Sequence, residues 1–435
     1  MAPNDAPVRL DSVSKIVDMA LMTKPEKKNE APRQDGGQPL SRYERQRERI
    51  LDAATSILNQ RGISGMTLQE VAEQLGLKTT AVTYYFRYKE QLIVAVLEDT
   101  LRRLSVMIEE AGQASTPRER VSRYLEIWFD HYTAAIRNET RPMAILSELR
   151  ALEGEAREKL IGGYQDIFRA VRALFGPTDT IEQKLRLTVR AQILNEGIFW
   201  AAIWLKQYDI ADFGTVRRQF LQILDSGIAA GPANPRPATR LADQPVANTD
   251  SYSSFLKIAT RILNEVGYKG TSIEKITAEL NLTKGSFYHH LPTKHDLILQ
   301  CFHNSYQRLR DLNEQGKRAG HSAWDTLTFV ITQALKAQFE ADYPLLRTTA
   351  FQALPDNVRQ IPYEQSQRIT LLLTGLIIDA AQEGAARTIN PLIASHIVMS
   401  TINSAFDIRS WAAKQDIDDA VDNCLSVITH GIYDC

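Results

Sequence analysis

Laying each residue n of this 435-residue chain on residue n + 205 produces a match that runs on without a gap. Ala54 falls on Ala259, Ile57 on Ile262, Leu58 on Leu263, Asn59 on Asn264 and Gly62 on Gly267. Gly65 then meets Gly270, Leu75 meets Leu280, Leu77 meets Leu282, Lys89 meets Lys294, and Leu92-Ile93 meets Leu297-Ile298. Unrelated amphipathic sequences would scatter their identities over many offsets, so one register held through this many positions marks an internal repeat. Phe199 and Trp204 find echoes in Phe406 and Trp411 at an offset only two residues longer, which extends the duplication towards the end of each half. The chain must therefore fold as two like units, and its length already exceeds what one ordinary core accommodates.

The segment between the copies, residues 231–249, carries Pro232, Pro235, Pro237 and Pro245, which preclude a continuous helix and predict an extended linker. Residues 24–37 are polar, charged and rich in breakers, so residues 1–40 are expected to be a disordered tail, with a short amphipathic helix conceivable over residues 8–22. Asp5, Arg9, Asp11, Lys15 and Asp18 break up any signal-peptide core, and no apolar run reaches the roughly 18 residues of a membrane span. Hydrophobic residues make up 44% and charged residues 24%, the balance of a soluble globular chain. The net charge of −1 gives no global attraction to nucleic acid, so any such function must rest on local motifs. Cys301, Cys424 and Cys435 lack metal-type spacing and read as inert thiols of a reducing compartment.

Each copy opens with apolar residues three and four apart: Ile50, Ala53, Ala54, Ile57 and Leu58, then Phe255, Ile258, Ala259, Ile262 and Leu263. That spacing predicts an amphipathic helix on a small core, ended by the left-handed turns that Gly62 and Gly267 allow. Thr67 and Ser272 are N-cap candidates for a second helix. Thr67 has Glu70 three residues on, a capping-box pattern, whereas Ser272 has Lys275 and must cap alone. A tight turn at Gly76 or Asn281 leads into a short third helix, predicted over residues 78–85 and 283–290. Two short helices joined in this way are a helix-turn-helix unit, whose second helix enters the major groove of DNA.

Both copies resemble the DNA-binding head of the TetR/AcrR family of bacterial regulators. The resemblance rests on about fifty residues in each copy: the glycine, the Thr/Ser cap, the Leu75-Gly76-Leu77 or Leu280-Asn281-Leu282 turn, the aromatic-rich third helix, and a Lys-x-x-Leu start to helix four at Lys89 and Lys294. It implies an all-α fold of two tandem units, each a three-helix head followed by a helical ligand-binding and dimerisation domain. The expected boundaries are heads at residues 41–92 and 250–298 and sensing domains at 93–230 and 299–435. The copies depart from the pattern differently. Thr83 replaces a tyrosine that the second copy keeps as Tyr288, and Leu291 replaces a phenylalanine that the first keeps as Phe86, so the two heads are expected to read different sequences.

Thr67 and Ser272, with the free N–H groups of their helix starts, and Lys89 and Lys294 are candidates for phosphate contact. Lys78, Thr79, Thr80 and Thr83, and Thr283, Lys284, Gly285 and Ser286, are candidates for base edges, with Tyr84, Tyr85, Tyr288, His289 and His290 completing the surface. Arg42, Arg45, Arg47 and Arg49 open the first copy only, so the first head is expected to supply more of the salt-dependent affinity, although Glu44 and Glu48 intervene. His289, His290 and His295 suit DNA contact or solvent better than a metal site. No catalytic arrangement and no cofactor motif is read, so an enzyme is not expected.

Some 130 residues follow each head. By the resemblance they hold a small effector and pair through their last two long helices, about 180–206 with 213–229 and 388–413 with 417–432. Trp128, Tyr132, Phe199, Trp200, Trp324 and Phe351 are candidates for an apolar effector pocket, although aromatics at helical spacing more often belong to a core or interface. The reading is a cytoplasmic, nucleoid-associated regulator, an effector-responsive repressor of a double-stranded operator. Its halves pair either within one chain, as a pseudo-dimer, or between chains, as a homodimer. The alternative is a helical ligand-binding or protein-interaction scaffold that has lost DNA contact.

Overall fold

The computed structural model describes residues 41–146, 149, 152, 154–231, 251–280, 293–319, 322–340, 342–348, 354 and 356–433. The tail, the linker beyond Gly231, the second recognition segment 283–290, Phe351 and Cys435 lie outside the described residues. Among the described residues the regular structure is helical, with one isolated β-bridge between Ala229 and Ala386. No described helix is long and apolar enough to cross a membrane.

The first half runs α1 (Arg42–Gly65), α2 (Leu68–Gln74), α3 (Thr79–Thr83), α4 (Lys89–Ala111), α5 (Pro117–Ile136), α6 (Gly154–Ala173), α7 (Ile181–Trp204) and α8 (Phe213–Ser226). The second repeats the order with α9 (Ser251–Gly270), α10 (Ile273–Glu279), α11 (Lys294–Arg318), α12 (Ala323–Glu340), α13 (Asp356–Gln382), α14 (Pro391–Ala405), the one-turn α15 (Arg409–Ala412) and α16 (Ile417–His430). Of the described residues, those up to Arg47 belong to one compact unit and those from Glu48 on to another. In the first, Ser41 and Glu44 bond reciprocally, Glu44 N–H to Ser41 Oγ at 3.1 Å and Ser41 N–H to Glu44 Oε2 at 2.7 Å, and these bonds hold the Glu44 carboxyl below its ordinary range.

Local sequence sets the helix starts. Thr116 with Glu119, Thr180 with Gln183 and Thr293 with Asp296 make capping boxes, and Asn390 caps α14 ahead of Pro391. In the first half α4 packs on α5 and α6, α6 on α7, and α5 on α8; in the second α11 packs on α12 and α13, α13 on α14, and α12 on α16. Helices α7 and α14 are buried nearly all round, as central helices must be: Leu187 to Leu194 and Ile393 to Ile402 are unbroken buried runs.

These two helices pack on each other, and α16 packs on both α7 and α8. The last two helices of each half thus form one bundle within a single chain. The pairing is reciprocal, the signature of a two-fold interface. Ile228 N–H donates to Ile428 O at 3.1 Å, while Ile432 N–H, the counterpart of Ile228, donates to Leu224 O at 2.8 Å. Gly227 and Gly431 close α8 and α16 with φ of 66° and 99°, and a Cβ on either would run into the other half's backbone, at Thr429 and Asp225 respectively. Around this crossing the symmetry lapses: Trp411 Nε1 donates to Leu185 O at 2.9 Å, whereas Trp204 stacks on His396 at 5.1 Å.

Candidate nucleic-acid interface

In the first head, Ile50, Ala54, Leu58, Met66, Val71 and Val82 share one core, and α1 breaks at Gly62, whose φ of 67° only glycine adopts at little cost. Gly267 does the same in α9, with φ of 69°. The turn between α2 and α3 passes through Gly76 at φ of 66°, and Leu77 N–H closes it on Ala72 O at 2.9 Å. Val82, fully buried, and Phe86 pin α3 to the core, which turns the opposite face outward: Lys78, Thr79 and Thr80 are exposed, and Tyr84 is 75% exposed. Tyr84 meets Tyr85 edge-on at 5.2 Å, and Tyr85 is half-buried against the core.

Not every candidate is equally placed for a ligand. The Thr67 hydroxyl accepts Glu70 N–H at 3.1 Å and lies 3.0 Å from Glu70 Oε2, to which it donates. Its single proton is thus committed to a carboxylate that also pairs with Arg61 at 2.5 Å, which leaves the hydroxyl no proton to offer a ligand. Thr83 is half-buried and its hydroxyl donates to Thr80 O at 3.1 Å, turned back along its own helix. Ser272 accepts Lys275 N–H at 3.1 Å without a return bond, as lysine at that position requires. Lys89 and Lys294 are both half-buried at the starts of α4 and α11, and burial pushes the Lys294 ammonium down. Thr283, Lys284, Gly285, Ser286, Tyr288, His289 and His290 lie outside the described residues.

Two residues that sequence reasoning passed over join this surface. Arg87 is exposed with its guanidinium 5.2 Å over the ring of Tyr88, itself 53% exposed, immediately before α4. Their signal was a cation and an aromatic ring side by side in a connection too short to bury either.

The head is tied to the domain behind it by the same bonds in both halves. Asn59 donates to Met143 O at 2.8 Å and accepts Ile145 N–H at 2.9 Å; Asn264 donates to Leu345 O at 2.9 Å and accepts Arg347 N–H at 3.0 Å. Thr100 and Ser305 hold the intervening N–H groups of Ala144 and Leu346, each at 2.9 Å, and Arg103 and Arg308 bond the carbonyls of Arg141 and Tyr343 at 2.8 and 2.9 Å. Where the first half places Arg141, ion-paired to Glu48, Asp52 and Asp99 at 2.5, 2.5 and 2.9 Å, the second places Tyr343, which donates to Asn304 at 2.7 Å under the Arg308 guanidinium.

Of the pocket candidates, Trp128 is buried, stacked on Tyr132 at 5.3 Å, and the Tyr132 hydroxyl donates to Ala202 O at 2.9 Å. Trp324 is buried, Phe199 is half-buried edge-on to Trp200, and Trp200 borders an open cleft. Cys301 and Cys424 are buried, and burial pushes the Cys301 thiol up to about 12.

A capped helix, a left-handed turn and a short helix with an outward polar face define a helix-turn-helix protein. Residues 50–96 and 255–301 both match the model of the bacterial regulatory proteins of the tetR family. At both heads the chain thus resembles this family, and the matched segment is present twice in tandem. It is 33% identical over 95 residues to the transcriptional regulator BetI of Brucella anthropi, a match covering 22% of this chain and 46% of that one. To BetI of Rhizobium meliloti it is 30% identical over 116 residues, 26% of this chain and 57% of that one. The chain thus spans about half the length of the curated relatives it matches. A solved TetR-family regulator from Bordetella parapertussis is 20% identical with a TM-score of 0.36, covering 42% of this chain and 94% of its own.

Proposed function

We propose that the chain is a sequence-specific DNA-binding transcriptional regulator, an effector-responsive repressor, whose halves pair as an intramolecular pseudo-dimer presenting two unlike recognition helices. The observation that carries the reading is the first head's third helix, anchored by Val82 and Phe86 and exposing Lys78, Thr79, Thr80 and Tyr84. Lysine donates to guanine, and threonine offers a hydroxyl to any base and a methyl to thymine. Repression follows if the effector changes the tilt of the heads, because paired recognition helices must lie about 34 Å apart to meet successive major grooves.

Selection of bound duplexes from a random pool tests the DNA reading directly. On the selected sequence, Lys78→Ala and Thr80→Ala are each expected to weaken binding by about 1–3 kcal/mol and to relax preference at one or two positions. Binding unchanged by either, with circular dichroism showing an intact fold, would remove α3 as the reading element.

The reciprocal bonds of Ile228 and Ile432 support pairing within the chain. The expected solution mass is that of one chain of 49.0 kDa, and the expected footprint is asymmetric. A perfectly palindromic site covered by two chains would return the protein to the ordinary homodimer.

A further inference from the structure

The bundle that joins the halves leaves a small, partly open cleft of about 90 Å³, to which both halves contribute. Trp200 and Trp204 of α7 line it from the first half, and Tyr363 of α13, His396 and Ser400 of α14, and Thr348 line it from the second. From this we infer that the cleft is a composite binding site, one per chain, for a small uncharged aromatic molecule carrying an oxygen acceptor.

Three observations specify that chemistry. First, no aspartate, glutamate, lysine or arginine is among the described residues lining the cleft, so a charged ligand would give up its hydration for no counter-charge. Secondly, Trp200 Nε1, Thr348 Oγ1 and His396 Nε2 are buried with no hydrogen-bond partner among the described residues. An indole N–H only donates, so one ligand atom must accept; the threonine hydroxyl and the imidazole serve in either sense. Burial pushes the His396 imidazole down to about 4, so it is neutral at pH 7 and adds no charge of its own. Thirdly, Trp204 and His396 stack on each other across the two halves with their planes 5° apart, so aromatic surface from both halves borders the cleft. The register that sets Trp204 on Trp411 places Asp407 at the position of Trp200 and Val189 at that of His396, so the other side of the two-fold offers a charged and an aliphatic residue instead. The site is therefore single, and it exists only while the halves are docked.

This deepens the effector-responsive reading and rests on it for its biological sense, but its test contains no DNA. The full chain is titrated with 2-naphthol by calorimetry and by tryptophan fluorescence, and in parallel with 2-naphthoate, the same rings bearing a carboxylate. The expected result is saturable binding of one 2-naphthol per chain, with the naphthoate at least about tenfold weaker. Thr348→Val should weaken 2-naphthol about tenfold while melting no lower than the parent, since it removes a buried hydroxyl that has no hydrogen-bond partner among the described residues. Trp200→Phe, which deletes only the donor's ring, is the second variant. Two molecules bound per chain, equal binding of the anion, unchanged affinity in both variants, or no saturation at all would each overturn the site. Failure on naphthol removes the site and leaves the DNA reading standing; failure on every duplex removes the regulator and leaves the titration intact.

Discussion

Gly227→Ala is expected to destabilise the protein by about 4 kcal/mol, combining the left-handed backbone penalty with a collision that neither neighbour can relieve. The residue sits at φ of 66° where α8 ends, and the added methyl would fall on the Thr429 carbonyl of the opposite half. A flexible side chain there would swing aside, but a backbone carbonyl fixed in α16 cannot. Gly431→Ala should behave alike, because φ of 99° places its methyl on Asp225 O. Gly231→Ala is the control: nothing lies within 4 Å of a Cβ there, so the change should stay within about 0.5 kcal/mol. Urea unfolding followed by circular dichroism reads all three. A Gly227→Ala protein as stable as the parent would mean that the crossing of α8 and α16 does not hold in solution.

Arg141→Ala should cost about 3 kcal/mol, the lower range for breaking a buried ion pair, because Glu48 and Asp52 keep water on one side while the arginine itself is 5% exposed. The loss falls on the joint between the first head and its domain, so hydrogen exchange should speed up in α1 before it does in α7. Acid provides a second readout. Burial alone would raise the Asp99 carboxyl, but its bond from Arg102 and the charges of Arg103 and Arg141 outweigh burial and hold it below the ordinary value. A carboxylate depressed in the folded state stabilises above its unfolded pKa, and that stabilisation is lost as pH falls through the folded one. Parent and Arg141→Ala should therefore converge in stability as the pH drops below the ordinary carboxylate range. A difference that stays constant through and below that range would show that the arginine acts by packing alone. Tyr343→Phe, at the matching place in the second half, should give no such acid dependence, since Asn304 stands where Asp99 does.

What could be read from the sequence was whatever is local or repeated. Gly62, Gly267 and Gly76 announced their backbone because few other residues tolerate a positive φ, and the Thr67–Glu70 box and its lysine-broken twin at Ser272 were visible as three-residue spacings. Arg141 could not be read, since its partners lie 42 to 93 residues away and an arginine in a loop looks like solvent until the chain closes round it. Asn59 and Asn264 stood out as identities without a role; their amides show one only when the loops after α5 and α12 arrive. The cleft was the least legible feature, because its walls come from four separate segments and its aromatic rings are those any core would use. Trp128, Tyr132 and Trp200 looked alike as letters, yet two pack inside the first domain and one borders open space.

The covalent link between the two halves changes how the molecule responds to scarcity and to inheritance. Partners carried on one polypeptide meet at an effective concentration of the order of millimolar whatever the cell contains, so dilution to a few copies cannot leave a lone subunit. A replacement at His396 or Tyr343 also occurs once instead of twice, which frees either side of the crossing to drift without dragging its mirror image along.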